Sequence, residues 1–197
     1  MIIIGITGTI GAGKGTIVEL LIKKGFKHYS VRDFLVEEIR KRGLEINRDT
    51  MTSTANSLRE EFGNDYIVKT ILNTAIANGD DCVIESIRND KEIELLRNIH
   101  NFYLFSVDAD IKTRYQRISL RKSATDNVSF ETFVENEKRE MQSDNNNSQN
   151  IAICMQKADY TFNNDQDVES LSKQVEEVLK QMEKFKRPSW DEYFMDL

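Results

Sequence analysis

A chain of 197 residues with 27 Lys and Arg against 33 Asp and Glu carries a net charge of -6 and a pI near 5.1. That balance argues against nucleic acid or an anionic membrane as the main partner. Hydrophobic residues at 39% and charged residues at 30% suit a soluble globular protein, and the length suits one well-cored domain, with no second complete one expected. Met1 leads straight into the apolar run Ile2–Ile6, too short for a signal peptide or a membrane span. Cys82 and Cys154 stand far apart, with no Cys or His at metal spacing. They read as buried thiols in a reducing compartment, so the expected location is cytoplasmic.

Ile2–Ile6 reads as the first strand. It feeds Gly8-Thr9-Ile10-Gly11-Ala12-Gly13-Lys14-Gly15-Thr16, which opens a helix. Glycines at 8, 11 and 13 let the backbone curl with its N–H groups turned inward, a concave nest for anions. The helix start near Lys14 adds the positive end of its dipole, and Lys14 supplies a mobile cation for β- and γ-phosphates. The alternative, a turn that is merely glycine-rich, leaves the lysine, the hydroxyl and the strand–turn–helix context unexplained. The general pattern puts Ser or Thr directly after the lysine. Here Gly15 intervenes and Thr16 carries the hydroxyl.

Lys27–Ser30 is the second expected strand, followed by Ser30-Val31-Arg32-Asp33-Phe34-Leu35. This places Asp33 at a helix start near the carboxyl edge of the sheet, where ligands of open α/β sheets bind. Asp33 either orients metal-bound water, accepts the acceptor's proton, or is simply a helix N-terminal charge. Asn64–Ala77 has helical spacing in its second half. Cys82–Glu85 is the third strand, and Val83-Ile84-Glu85-Ser86-Ile87-Arg88 runs off its end. Glu85 suits the magnesium-side acid of a phosphoryl-transfer site. Arg88 can fork onto an acceptor phosphate, or make a surface salt bridge with Glu92 or Glu94.

Phe102–Val107 is the fourth strand. After Asp108, Arg114, Arg117 and Arg121 fall on one helix face, with Lys122 beside them. Ser123–Val128 is a short connection on which they can swing as a lid over ATP; the plainer reading is a solvated basic face. Lys138 and Arg139 lie among glutamates on the next helix. Asp144–Asn150 is too polar to bury. Tyr160–Phe162 is the fifth strand, and Leu171, Val175, Val178, Leu179, Met182 and Phe185 form the stripe of a final helix. Pro188 stops that helix, and the tail beyond holds Trp190, Tyr193, Phe194 and Met195. No Ser/His/Asp set or metal cluster competes, and His28 and His100 read as isolated. The alternation predicts an α/β, three-layer P-loop NTPase fold with a five-stranded parallel sheet, its first strand central.

These motifs resemble the nucleoside monophosphate kinase group of P-loop proteins. Ile4-Gly5-Ile6-Thr7-Gly8 looks like the start of dephospho-CoA kinase, and Gly13-Lys14-Gly15-Thr16 looks like adenylate kinase. Ser30-Val31-Arg32-Asp33, Leu58-Arg59-Glu60-Glu61-Phe62-Gly63, Glu85-Ser86-Ile87-Arg88 and Ala158-Asp159-Tyr160-Thr161-Phe162-Asn163-Asn164 are similar to patterns of archaeal adenylate-kinase-like proteins. The likeness covers residues 1–183. It implies ATP and Mg²⁺ as cofactors, bound through Gly8, Gly11, Ala12, Gly13, Lys14, Gly15 and Thr16. Thr16 would touch phosphate, with the magnesium of Thr16 and Glu85 held largely through water. Arg88 would grip the acceptor phosphate, and Arg117 and Arg121 would be lid arginines over the base and phosphates of ATP. Two departures stand out: Val36 replaces a second acceptor-binding arginine, which Arg40 would have to supply from one turn later, and Glu85-Ser86 replaces Asp-Gly.

The tail, 184–197, resembles the opening of deoxycytidylate deaminase on Arg187-Pro188-Ser189-Trp190-Asp191-Glu192-Tyr193-Phe194-Met195, without that enzyme's zinc signature. The leading expectation is an ATP-dependent phosphotransferase acting on a (deoxy)nucleoside monophosphate or related small acceptor. The alternatives are a nucleotide-sensing domain fused to, or associated with, a deaminase, and a dephospho-CoA kinase.

Overall fold

Strand and helix alternate along residues 1–121, 128–141 and 149–184, which are the residues this computed structural model describes. β1 (Ile3–Gly8) is buried at all six positions, as a strand must be when helices cover both faces of its sheet. β2 (Lys27–Ser30), β3 (Cys82–Glu85), β4 (Phe102–Asp108) and β5 (Tyr160–Asn163) complete a sheet ordered β2-β3-β1-β4-β5. Every pairing is parallel. β1 is central, as its apolar run predicts.

The helices are α1 (Lys14–Lys23), α2 (Val31–Lys41), α3 (Arg48–Phe62), α4 (Tyr66–Asn78), α5 (Asp90–Arg97), α6 (Ile111–Arg121), α7 (Phe130–Met141), α8 (Ile151–Gln156) and α9 (Val168–Lys184). Successive strand side chains point to opposite faces, so Ile3 and Ile4 enter different cores. Ile3, Ile84 and Leu104 pack with Leu35 of α2, Leu58 of α3, Ile71 of α4, Leu96 of α5 and Cys154 of α8. Ile4, Ile6, Val83 and Phe105 pack with Ile17 and Leu21 of α1 and with Leu171, Val175 and Met182 of α9. This is the expected three-layer arrangement. Cys82 and Cys154 are free thiols in these cores. Burial, reinforced by nearby carboxylates, pushes them up to about 11 and about 12 respectively, so they remain protonated and inert.

Local chemistry starts the helices that flank the cleft. Ser30 caps α2 by accepting from the Asp33 N–H. Asn47 and Thr50 form a reciprocal capping box on α3, and Asn89 and Glu92 form one on α5. Because β1 lies between β3 and β4, chain leaves its carboxyl end toward both sides, and the crevice that opens there is the ligand position of open α/β sheets. Residues 122–127, 142–148 and 185–197, which hold most of the expected lid connection and the tail expected to resemble a deaminase, lie outside the described residues.

Candidate functional site

The loop after β1 has the backbone its glycines allow. Gly8, Gly11 and Gly13 have φ of 136°, 78° and 110°. At Gly8 an added Cβ would run into the Val107 carbonyl oxygen, so β1 approaches β4 at a distance only glycine permits. Gly13 begins α1 without a side-chain cap, which leaves leading N–H donors of the helix to an incoming anion. Three contacts hold the loop from outside. Asn164 donates from Nδ2 to the Ala12 carbonyl at 2.8 Å, Thr9 donates from Oγ1 to Asp108 at 2.6 Å, and Arg114 donates to the Ile10 carbonyl at 3.3 Å.

Lys14 folds back over this loop, its Nζ donating to the Gly8 and Thr9 carbonyls at 2.8 Å each. Burial, then the Arg88 guanidinium, push its pKa down to about 7, although Glu140 and Glu85 pull the other way. An ammonium so placed is short of negative charge, which an anion entering the cavity would supply.

The loop forms one side of a cavity of about 650 Å³. Gly11, Gly13, Lys14, Gly15 and Thr16 line it together with Glu85, Ser86, Arg88 and Arg121. The β3–α5 loop that presents Arg88 is strained and well held. Ser86 sits at φ 66°, a left-handed position a non-glycine residue rarely takes. The Ile87 N–H donates to the Ile6 carbonyl at 3.0 Å, and the Thr7 hydroxyl to the Ile87 carbonyl at 2.8 Å. Glu92 accepts the Arg88 and Asn89 N–H groups at 2.9 and 3.1 Å. The Arg88 side chain does not pair with Glu92 or Glu94. Its Nη1 donates to Glu140 at 2.8 Å and to the Gln149 side-chain oxygen at 2.7 Å, and Glu140 also pairs with Arg48. Burial raises the Glu140 carboxyl, but Arg88 and Arg48 outweigh it and hold the group below the usual range.

Glu85 accepts from the Ser30 hydroxyl at 3.0 Å and faces His28 Nε2 at 3.5 Å. Burial pushes its carboxyl up, and the His28 and Ser30 hydrogen bonds pull it below normal. The Glu85 hydrogen bond in turn raises the His28 pKa, against the loss of hydration. His28 is therefore a partner of the cleft acid and not an isolated residue.

Other expected residues are placed differently. Asp33 is exposed on the first turn of α2 and does not line the cavity. Arg117 donates to the Gln166 carbonyl at 3.2 Å, outside the cavity beside the β5–α9 connection. Gly8 and Ala12 shape the loop from behind its lining. Arg114 shares a helix face with Arg121, yet its side chain is only 5% exposed. It pairs bidentately with Glu137, donates to the Ala109 carbonyl at 2.7 Å and lies over the Phe133 ring. It clamps α6 to α7 and is no lid cation. Val36 faces the core, and Arg40 is exposed away from the cavity.

Sequence reasoning passed over Arg48 and Glu140, gave Arg32 and Arg59 no role beyond their motifs, and expected Gln149 to be too polar to bury; all five line the cavity, and Gln149 is buried against Arg88. Arg48, Glu140 and Gln149 also line an adjoining chamber of about 290 Å³ with Asp49, Thr52, Ser53, Asn56, Asn136 and Arg139. Among the described residues no three His, Cys, Asp or Glu side chains gather to hold a metal, and no helix is long and apolar enough to cross a membrane.

Residues 4–143 match the AAA domain family. A UPF0200 protein of Methanocaldococcus jannaschii is 31% identical over 194 residues, which is 95% of each chain. Shikimate kinase from Bacteroides thetaiotaomicron superposes with a TM-score of 0.57 at 16% identity, covering 91% of this chain and 98% of that one. Dephospho-CoA kinase from Campylobacter jejuni superposes with a TM-score of 0.55 at 16% identity, covering 94% and 98%. At such identities the two enzymes speak for the fold alone, which is the α/β P-loop kinase fold. The family match over residues 4–143 and the 31% identity across nearly the whole chain place it in the AAA domain family and among the UPF0200 proteins.

Proposed function

We propose that the protein transfers the γ-phosphoryl group of ATP to a nucleoside monophosphate or a closely related small anionic acceptor. The observation that carries this reading is one cavity lined both by the phosphate-loop lysine, Lys14, and by a second set of cations, Arg88 and Arg48. Arg88 is near enough to lower the Lys14 pKa. Two anionic groups, one on each set, relieve that repulsion and bring donor and acceptor phosphates together.

In this reading the loop N–H groups and α1 hold the ATP phosphates, and Lys14 screens charge growing on the β,γ bridge. Arg88 and Arg48 orient the acceptor anion, and Arg121 screens from α6. Magnesium arriving with the nucleotide would neutralise phosphate charge, and Thr16 and Glu85 would offer it oxygens. The residues fit because the Glu85 carboxyl is held below its usual range and lines the same cavity as Thr16. Glu85, which reaches the cavity, is better placed than Asp33 to orient metal-bound water. Most of the rate would come from positioning and electrostatics.

A second reading, nucleotide sensing without transfer, draws support from Glu140, which neutralises Arg88 and Arg48 internally. The accompanying idea of a deaminase partner rests on a tail outside the described residues. Calorimetry on two variants tests the division of the cleft. Lys14→Ala should abolish ATP binding, while Arg88→Ala should leave it within a few-fold and weaken nucleoside monophosphate binding. A charge-assisted phosphate contact of about 2 kcal/mol corresponds to a loss of about thirtyfold. Loss of ATP binding in Arg88→Ala would put that arginine on the wrong side of the reaction.

A further inference from the structure

The cleft holds a guanidinium that phosphoryl transfer does not use. On α3, Arg48, Thr52, Ala55 and Arg59 follow one another at helical spacings of four, three and four, and all four line the main cavity. Arg48 is engaged by Glu140. Arg59, three turns further on, has a side chain only 2% exposed and a single partner: its Nη2 donates to Glu92 Oε1 at 3.0 Å. Its Nε and Nη1 are buried with no hydrogen-bond partner.

Glu92 cannot answer them. It is itself 1% exposed, and its other oxygen accepts the Arg88 and Asn89 N–H groups. The carboxylate therefore neutralises Arg59 and fixes its position while leaving two donors unmet. Buried donors are nearly always paired, and each exception calls for an explanation. A counter-ion for Glu92 requires only one positive charge, which a lysine would supply. It explains neither the choice of a guanidinium nor its place in the cavity wall. The same wall carries the apolar side chains of Val31, Leu35 and Ala55, a surface suited to the flat face of a ring and not to a polyol.

We propose that Arg59 determines acceptor specificity by donating hydrogen bonds to the carbonyl oxygens or unprotonated ring nitrogens of a nucleobase, with Val31, Leu35 and Ala55 against the ring. This rests on the acceptor being a nucleoside monophosphate whose phosphate is held by Arg88 and Arg48. Arg59 makes no contact with the transferred group in this arrangement. It selects which phosphate monoester is held there.

The test is calorimetric binding of AMP, CMP, GMP, UMP and ribose 5-phosphate, which keeps the phosphate and sugar but lacks the base. It is run on the wild-type chain and on Arg59→Lys, which retains the charge opposite Glu92. At least one nucleotide should bind the wild type about tenfold or more tighter than ribose 5-phosphate, the worth of a hydrogen bond from a charged donor. Arg59→Lys should erase most of that preference and leave ribose 5-phosphate affinity unchanged. A preference that survives in the variant overturns the inference, as does an equal weakening of nucleotide and sugar phosphate, which marks a purely structural residue. Should the variant not fold, the wild-type arm still decides, since ribose 5-phosphate binding as tightly as all four nucleotides also overturns it. A wild type that binds none of the five refutes the acceptor reading underneath as well.

Discussion

Glu140→Gln removes the carboxylate shared by Arg48 and Arg88 while keeping its shape. The side chains of Arg48 and Arg88 are each 24% exposed and that of Glu140 13%, so the cluster is neither fully desolvated nor a surface pair. Breaking a fully buried pair costs about 3–5 kcal/mol, and breaking an exposed pair costs about 0–1 kcal/mol. An intermediate cost of about 2 kcal/mol follows, which for a domain of this size lowers the Tm by about 4–8 °C. The variant also leaves Lys14, Arg48 and Arg88 without their common counter-charge, so inorganic phosphate should bind it more tightly than the wild type. Thermal melts with and without millimolar phosphate read both effects. The variant should melt low and recover most of the loss with phosphate, whereas the wild type should gain little. The folded pKa of Glu140 is depressed, so its contribution is fully present above the unfolded carboxylate value and disappears as pH falls through the folded one. The two proteins should therefore converge in acid. Equal melting at neutral pH, or an equal phosphate shift in both, would refute the idea that these cations form an anion site held in check by Glu140.

Lys14 makes ATP binding pH-dependent, because burial and Arg88 set its pKa near 7 and bound phosphate must raise it. Affinity should be full below pH 7 and fall by about tenfold per pH unit above it, with proton uptake on binding near pH 8. Calorimetry in buffers of different ionisation enthalpy measures this, and a flat profile would contradict it. In urea unfolding, Gly8→Ala should cost about 2–4 kcal/mol, because the new Cβ meets the Val107 backbone and the φ of 136° is strained. Gly15→Ala should be neutral or stabilising by up to about 1 kcal/mol, since nothing lies within 4 Å of its Cβ position inside α1.

The sheet was legible because short, β-branched and aromatic-rich runs such as Ile2–Ile6 and Phe102–Val107, set between helical segments, suit strands covered on both faces. The phosphate loop was legible because glycine, lysine and helix start are local in sequence. What escaped depends on contacts far along the chain. Arg114 and Arg121 share a helix face, but Glu137, 23 positions beyond Arg114, buries the first while the second lines the cleft. Periodicity cannot report such a partner. α3 is polar for much of its length, so its apolar stripe is faint, and Arg48 and Arg59 went unnoticed as cleft residues. The Asn47–Thr50 capping box was the available signal for its start. Glu140 and Gln149 flank a polar stretch that gives no hint of their convergence on Arg88. Asp33 was expected at the sheet edge because its helix starts there. A first-turn side chain can also point to water, and this one does.

The most direct measurement of the central claim is transfer of labelled γ-phosphoryl from magnesium-ATP to a panel of nucleoside monophosphates, deoxynucleoside monophosphates and dephospho-CoA. The account predicts label on at least one nucleoside monophosphate, lost in Lys14→Ala and restored in Arg88→Ala only at much higher acceptor concentration. ATP binding with no transfer to any acceptor would contradict it and leave a cleft that senses nucleotides without acting on them.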